Sequence, residues 1–90
     1  MPKSYRLDIA SKAQKELDDV PSSLFSKIDK QIKSLAQNPR PFGVKKLDNE
    51  LYRIRIGNFR VIYAILEKFE KVVILRVVRR SEKTYRGVPP

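Results

Sequence analysis

The chain contains neither cysteine nor histidine. Without cysteine it needs no oxidising compartment and has no thiolate metal ligand; without histidine it lacks the commonest catalytic base and zinc ligand. Zinc chemistry and a Ser-His-Asp triad are therefore excluded, and no metal or other cofactor is expected. Only three glycines are present, none forming a glycine-rich phosphate loop, and neither an internal repeat nor a low-complexity segment occurs. Long apolar runs are missing too. The longest, Val61 to Leu66, falls far below the roughly 18 residues that span a membrane, and Met1-Pro2-Lys3-Ser4-Tyr5 has no apolar signal region. A cytoplasmic protein without membrane contact is expected.

What the chain has in excess is positive charge. Twenty Lys and Arg stand against ten Asp and Glu, a formal +10 over 90 residues, which predicts association with nucleic acid or another polyanion. The length suits one domain spanning 1–90, with a single sheet-and-helix core.

The most informative stretch is Tyr52-Arg53-Ile54-Arg55-Ile56-Gly57-Asn58-Phe59-Arg60-Val61-Ile62-Tyr63, which carries three arginines and no acidic residue. A Gly-Asn pair between two alternating runs signals a two-residue hairpin, whose register pairs Ile56 with Phe59, Arg55 with Arg60 and Arg53 with Ile62. Like charges directly opposite one another on neighbouring strands are destabilising. A sequence selected only to fold would avoid Arg55 facing Arg60 unless something anionic lies between them, so Arg53, Arg55 and Arg60 are read as a phosphate-binding face.

Around the hairpin the pattern predicts an α+β fold. Tyr5, Leu7 and Ile9 alternate with Arg6 and Asp8 as a first strand. Ser11-Lys12-Ala13-Gln14 resembles a capping box, and Ala13, Leu17 and Val20 mark a first helix running to about Val20. Pro21 stops it; Ser22 or Ser23 can cap a second helix whose stripe, Leu24, Ile28, Ile32 and Leu35, continues to the break at Asn38-Pro39-Arg40-Pro41. A short strand near Val44 to Leu47, hairpin strands Leu51 to Ile56 and Phe59 to Leu66, and a last strand Val72 to Val78 complete the order β-α-α-β-β-β, a helical hairpin packed on a small, mainly antiparallel twisted sheet. Tyr52, Ile54, Ile56, Phe59, Val61, Tyr63 and Ile65 should face the helices, leaving the arginines on the other side. Val72-Val73-Ile74-Leu75 is apolar on both faces, as a central strand would be. Arg76, Val78 and Arg80 should share one face of that strand and its extension.

Gly43-Val44-Lys45-Lys46-Leu47, the hairpin segment just quoted, and Arg79-Arg80 followed by Tyr85-Arg86 together resemble the RelE/ParE superfamily of type II toxins, over nearly the whole chain. The resemblance implies a RelE-like, microbial-RNase-like fold. For the RelE branch it implies an mRNA interferase that cuts codons in the ribosomal A site, is neutralised by an acidic, RelB-like antitoxin, and meets operator DNA only through the antitoxin complex. For the ParE branch it implies poisoning of DNA gyrase. Carried over by position, the RelE pattern's basic residues fall on Arg53, Arg55 and Arg60, its arginine after the last strand on Arg80, and its later tyrosine on Tyr85. In RelE-like chains the hairpin positions are often lysine, and the Arg80 to Tyr85 spacing can differ by a residue.

RNA can be cut without a metal if its own 2′-OH attacks the adjacent phosphate. That requires a proton acceptor, cationic stabilisation of the phosphorane and a donor for the leaving 5′-oxygen. Arg53, Arg55 and Arg60 suit the middle task, because a guanidinium holds two phosphate oxygens and keeps its charge. For the same reason arginine is a poor base, so proton removal falls to Tyr85, to Lys45 or Lys46, or to the ribosome and substrate. Arg80 can stabilise the leaving group or serve as the acid. Tyr85 can equally stack on a base or pack against the sheet edge. Lys45, Lys46, Arg76, Arg79 and Arg86 are expected to contact RNA. Three readings remain: a ribosome-dependent endonuclease, a gyrase inhibitor, and a catalytically silent antitoxin partner that shapes operator binding.

Overall fold

The computed structural model describes residues 4–79. Its strands are β1 (Arg6–Ile9), β2 (Lys45–Lys46), β3 (Leu51–Ile56), β4 (Phe59–Leu66) and β5 (Lys71–Arg79), its helices α1 (Ser11–Asp18) and α2 (Ser22–Ser34), and a 3₁₀ turn, Glu67–Phe69, joins β4 to β5. The strands form one mixed sheet in the order β1-β5-β4-β3-β2, in which β1 runs parallel to β5 and every other pair is antiparallel. The doubly apolar segment Val72 to Leu75 thus lies in an interior strand, as its composition requires.

Two helices cover one face, α1 over β5 and α2 over β3. Between the layers lie Ala13 and Leu17 of α1, Ile28 and Ile32 of α2, and Val61, Tyr63, Val72 and Ile74 of the sheet, each at most 1% exposed. Burying a side chain of this size contributes about 1.5–3 kcal/mol, so this layer is the main source of stability.

The helix ends differ from expectation. Ser11 does not cap α1. Ala10 holds the N-cap position because its N–H still donates to the Ile74 carbonyl in the sheet ladder, and the Gln14 side-chain amide reaches Asp18 instead. The helix ends at Asp18, short of Val20, which Pro21 disfavours from helical backbone. Pro21, and neither Ser22 nor Ser23, occupies the N-cap of α2: its carbonyl accepts from Leu24 and Phe25, and both serines lie inside the helix. Beyond Ser34, the N–H groups of Leu35, Ala36 and Gln37 donate to carbonyls three residues back, tightening the chain out of α geometry before Asn38. The short edge strand is confined to Lys45–Lys46.

Tyrosines fasten the loop that leads into β2. The Tyr63 hydroxyl donates to the Pro39 carbonyl at 2.6 Å, and burial pushes its pKa above the ordinary phenol value. Arg40 donates to the Tyr52 hydroxyl at 3.3 Å and pairs with Glu67 at 2.8 Å, while Tyr5 donates to Glu67 at 2.7 Å. The hydrogen bond to Tyr52 first, and Glu67 after it, raise the Arg40 pKa. Among the described residues no helix is long and apolar enough to cross a membrane.

Candidate nucleic-acid interface

The Gly57-Asn58 turn forms as the sequence requires. Gly57 has φ +59° and Asn58 does not have a positive φ, which puts glycine at the first central position, as in a type II′ turn. The register that follows pairs Ile56 with Phe59, Arg55 with Arg60 and Arg53 with Ile62. Arg53 and Arg55 lie two residues apart on β3, so they and Arg60 share the sheet face away from the helices.

The short edge strand adds a fourth cation. Lys45 pairs with Arg53, whereas Lys46 pairs with Tyr52. The sequence left these lysines equivalent; the register assigns Lys45 to the arginine face and Lys46 to the helix-facing side. Lys45, Arg53, Arg55 and Arg60 therefore run across three strands as two cross-strand pairs of like charge. Each such pair costs the fold stability unless an anion neutralises it.

The arginine face is not uniformly open, contrary to what strict alternation implies. Arg55 is exposed and Arg60 half-buried, but Arg53 is only 7% exposed, and among the described residues it is the only charged side chain placed so deeply. Its cross-strand neighbour Ile62 is buried on the same side. The face thus grades from a sunken guanidinium at Arg53 to an accessible one at Arg55. A guanidinium cannot shed its proton in a protein, so even the sunken one keeps its field.

On β5 the alternation is interrupted. Tyr63 pairs with Ile74 but Ile62 with Arg76, leaving Leu75 as an extra residue, a bulge that turns the strand locally. Arg76 is drawn to α1, where its Nε and Nη2 donate to the Glu16 carboxylate at 2.8–3.2 Å, and the same carboxylate accepts from the Val77 N–H at 2.9 Å. Val78 sits opposite Arg60 on the arginine face. Arg79 pairs with Phe59 and places its guanidinium 5.3 Å from that ring centroid, on the helix-facing side. A cleft beside these residues is lined by Glu16, Asp19, Phe59, Arg76, Val77, Val78 and Arg79; its two carboxylates offset its two guanidinium groups, so it offers phosphate no net positive charge.

Of the residues read from the sequence, the structure brings together Lys45, Arg53, Arg55 and Arg60. It sets Lys46 and Arg79 on the other side and engages Arg76 with Glu16. Arg80, Tyr85 and Arg86 lie outside the described residues. Glu16 was missed, since nothing in its sequence neighbourhood marks a partner 60 residues away. Among the described residues no group of three or more His, Cys, Asp or Glu could hold a metal ion. The assembled face can bind phosphate and stabilise negative charge, and its exposed Lys45 adds a primary ammonium beside the three guanidinium groups.

A family model described as the ParE toxin of type II toxin-antitoxin system, parDE, matches residues 7–84. The chain is 36% identical over 88 residues to the candidate toxin RelE1 of Methanocaldococcus jannaschii, covering 92% of this chain and 97% of that protein. Among solved structures it is similar to the archaeal RelE–RelB complex from Pyrococcus horikoshii OT3, with a TM-score of 0.79 and 30% identity over 88% of this chain and 98% of the other. It also shares its fold with the isolated E. coli RelE toxin, at a TM-score of 0.76 and 20% identity over 93% and 94% of the two chains.

Proposed function

The chain belongs to the ParE toxin family, in the RelE/ParE superfamily of type II toxins, and on that footing we propose that it is a RelE-type ribosome-dependent mRNA endonuclease. The observation that carries this reading is the clustering of Lys45, Arg53, Arg55 and Arg60 on one sheet face, with Arg55 directly opposite Arg60. In this reading Arg55 and Arg60 grip the scissile phosphate from adjacent strands, and the buried Arg53 holds positive potential beneath it. As the 2′-OH attacks, charge grows on the non-bridging oxygens, and preorganised guanidinium donors stabilise it without reorganising. Lys45 or Tyr85 removes the 2′-OH proton, and Arg80 supports the departing 5′-oxygen. Such dispersed, weak catalysts fit an enzyme that relies on the ribosome for alignment, because positioning alone is worth several kcal/mol of barrier. Free RNA is then a poor substrate.

The partner in this reading is an acidic, RelB-like antitoxin in the cytoplasm, with operator DNA contacted only through that complex. Support comes from the similar Pyrococcus horikoshii protein, whose structure is that of a RelE–RelB complex. A second reading, gyrase poisoning, is favoured by the ParE description of the matching family model.

Induction in cells separates the two. Primer extension on a translated message should reveal new 5′ ends inside codons. Intact messages accompanied by gyrase-dependent DNA breaks would overturn the endonuclease reading in favour of the second.

A further inference from the structure

The sheet arginines leave a large part of the +10 charge unexplained, and α2 contributes to the remainder with three lysines against a single aspartate. In α2 every fully exposed residue is serine or lysine: Ser22, Ser23, Ser26, Lys27, Lys30, Lys33 and Ser34. The helix's one carboxylate, Asp29, is half-buried and bound to Lys33 at 2.9 Å. Lys27 and Lys30 form no ion pair among the described residues. A helix face evolved only for solubility mixes charges of both signs, since Glu–Lys pairs at i,i+4 also stabilise the helix.

We propose that the outer face of α2 is a second RNA-binding surface, one that takes the phosphate backbone of a base-paired RNA. Lysines supply the charge, and serine hydroxyls the short-range hydrogen bonds, of backbone recognition that is independent of sequence. A protein partner fits this face poorly. A protein interface needs an apolar, desolvated centre, whereas the exposed large hydrophobic residues among those described, Phe42 and Phe69, lie elsewhere. α2 packs over β3, whose opposite face carries Arg53 and Arg55. The two basic surfaces therefore point away from each other, and the domain can hold a strand on its arginine face while α2 rests on a folded RNA. This inference is separable from the cleavage reading because it concerns binding alone.

The test is fluorescence anisotropy of the purified chain with a 16-base-pair RNA duplex across a salt series. A single strand of equal length and polyglutamate serve as comparison probes. Lys27→Gln/Lys30→Gln/Lys33→Gln should weaken duplex binding about tenfold or more and flatten the log K against log salt slope by about 2–3, at about 0.9 per lost phosphate contact. Lys27→Gln/Lys30→Gln, which leaves the Lys33–Asp29 pair intact, should give about two-thirds of that change if the triple variant folds poorly by circular dichroism. An equal charge loss elsewhere, Lys12→Gln/Lys15→Gln/Lys68→Gln, should change the slope by less than 1. Unchanged duplex binding in a folded α2 variant, or an equal loss in the control, would overturn the proposal. So would polyglutamate binding more tightly than duplex through the same lysines, which would indicate an acidic protein partner. Failure of RNA cleavage would leave this result standing, and the reverse holds too.

Discussion

Arg55 and Arg60 stand directly opposite each other across the β3–β4 hairpin, two permanent positive charges in one cross-strand pair. Lys45 opposite Arg53 repeats the pattern one strand over. The tight Gly57-Asn58 turn forces the first pairing, so the two like charges are held opposite each other by the backbone register.

The exposed member of the pair should therefore cost stability. Replacing Arg55 with Thr, a good strand former, should stabilise the folded protein by roughly 0.2–1 kcal/mol, the usual range for cross-strand pair effects, while impairing RNA cleavage. Urea denaturation checks the first half. A clear loss of stability in Arg55→Thr would mean that the pair is not under repulsion.

Tyr63 should make the fold sensitive to alkali. Burial raises its pKa in the folded protein, whereas in the unfolded chain it titrates near the usual phenol value of about 10. The contribution is thus present below about pH 10 and is lost as pH rises beyond it, because only the unfolded chain then releases the proton readily. Unfolding free energies at pH 9 and 11 should differ more in the parent than in Tyr63→Phe. That variant should also lose about 1–3 kcal/mol at neutral pH by leaving the Pro39 carbonyl without its donor. Equal alkaline slopes in the two proteins would contradict this assignment.

Glu16 should matter to the fold beyond what its place on a short helix suggests. It binds Arg76 through two donors and also takes the Val77 N–H, tying α1 to β5 just past the bulge. Glu16→Ala should cost about 1–3 kcal/mol, since charge-assisted bonds are the stronger ones. Thermal melts measure it. A change below about 0.5 kcal/mol would show that the bonds are replaced by water without loss.

The hairpin and its register were legible because turn chemistry and two-residue alternation act over a few residues. Arg55 facing Arg60 followed from Gly57-Asn58 alone. What alternation could not convey was depth: it separated the two faces but gave Arg53 and Arg55 the same exposure, and the burial of Arg53 beside Ile62 depends on how the sheet packs. The bulge at Leu75 was illegible for a related reason. Val72 to Val78 is nearly uniformly apolar, so a one-residue slip leaves no trace in its pattern, and the diversion of Arg76 to Glu16 went unseen. The helix starts failed because Ser11, Ser22 and Ser23 are good caps locally, yet Ala10 was already held by the sheet and Pro21 offered its own carbonyl. Lys45 and Lys46 could be told apart only once the edge strand had a register.

Association with an acidic antitoxin should be steered by charge. Its rate should fall as ionic strength rises, because the field of the basic surface is screened over about 10 Å at 0.1 M salt. Stopped-flow mixing measures this. A rate independent of salt, or an antitoxin whose toxin-binding segment carries excess Lys and Arg, would contradict the partner assignment.

Single-turnover cleavage of a message whose codon occupies the A site of purified ribosomes tests the central claim most directly. The parent chain should cut within that codon and leave the same message intact when ribosomes are omitted. Arg60→Ala, folded by circular dichroism, should be slower by about 100-fold or more, the usual loss when one preorganised donor to a charged transition state is removed. Cleavage by Arg60→Ala at the parent's rate, or equal cutting of free RNA, would contradict a ribosome-dependent site built on the paired hairpin arginines.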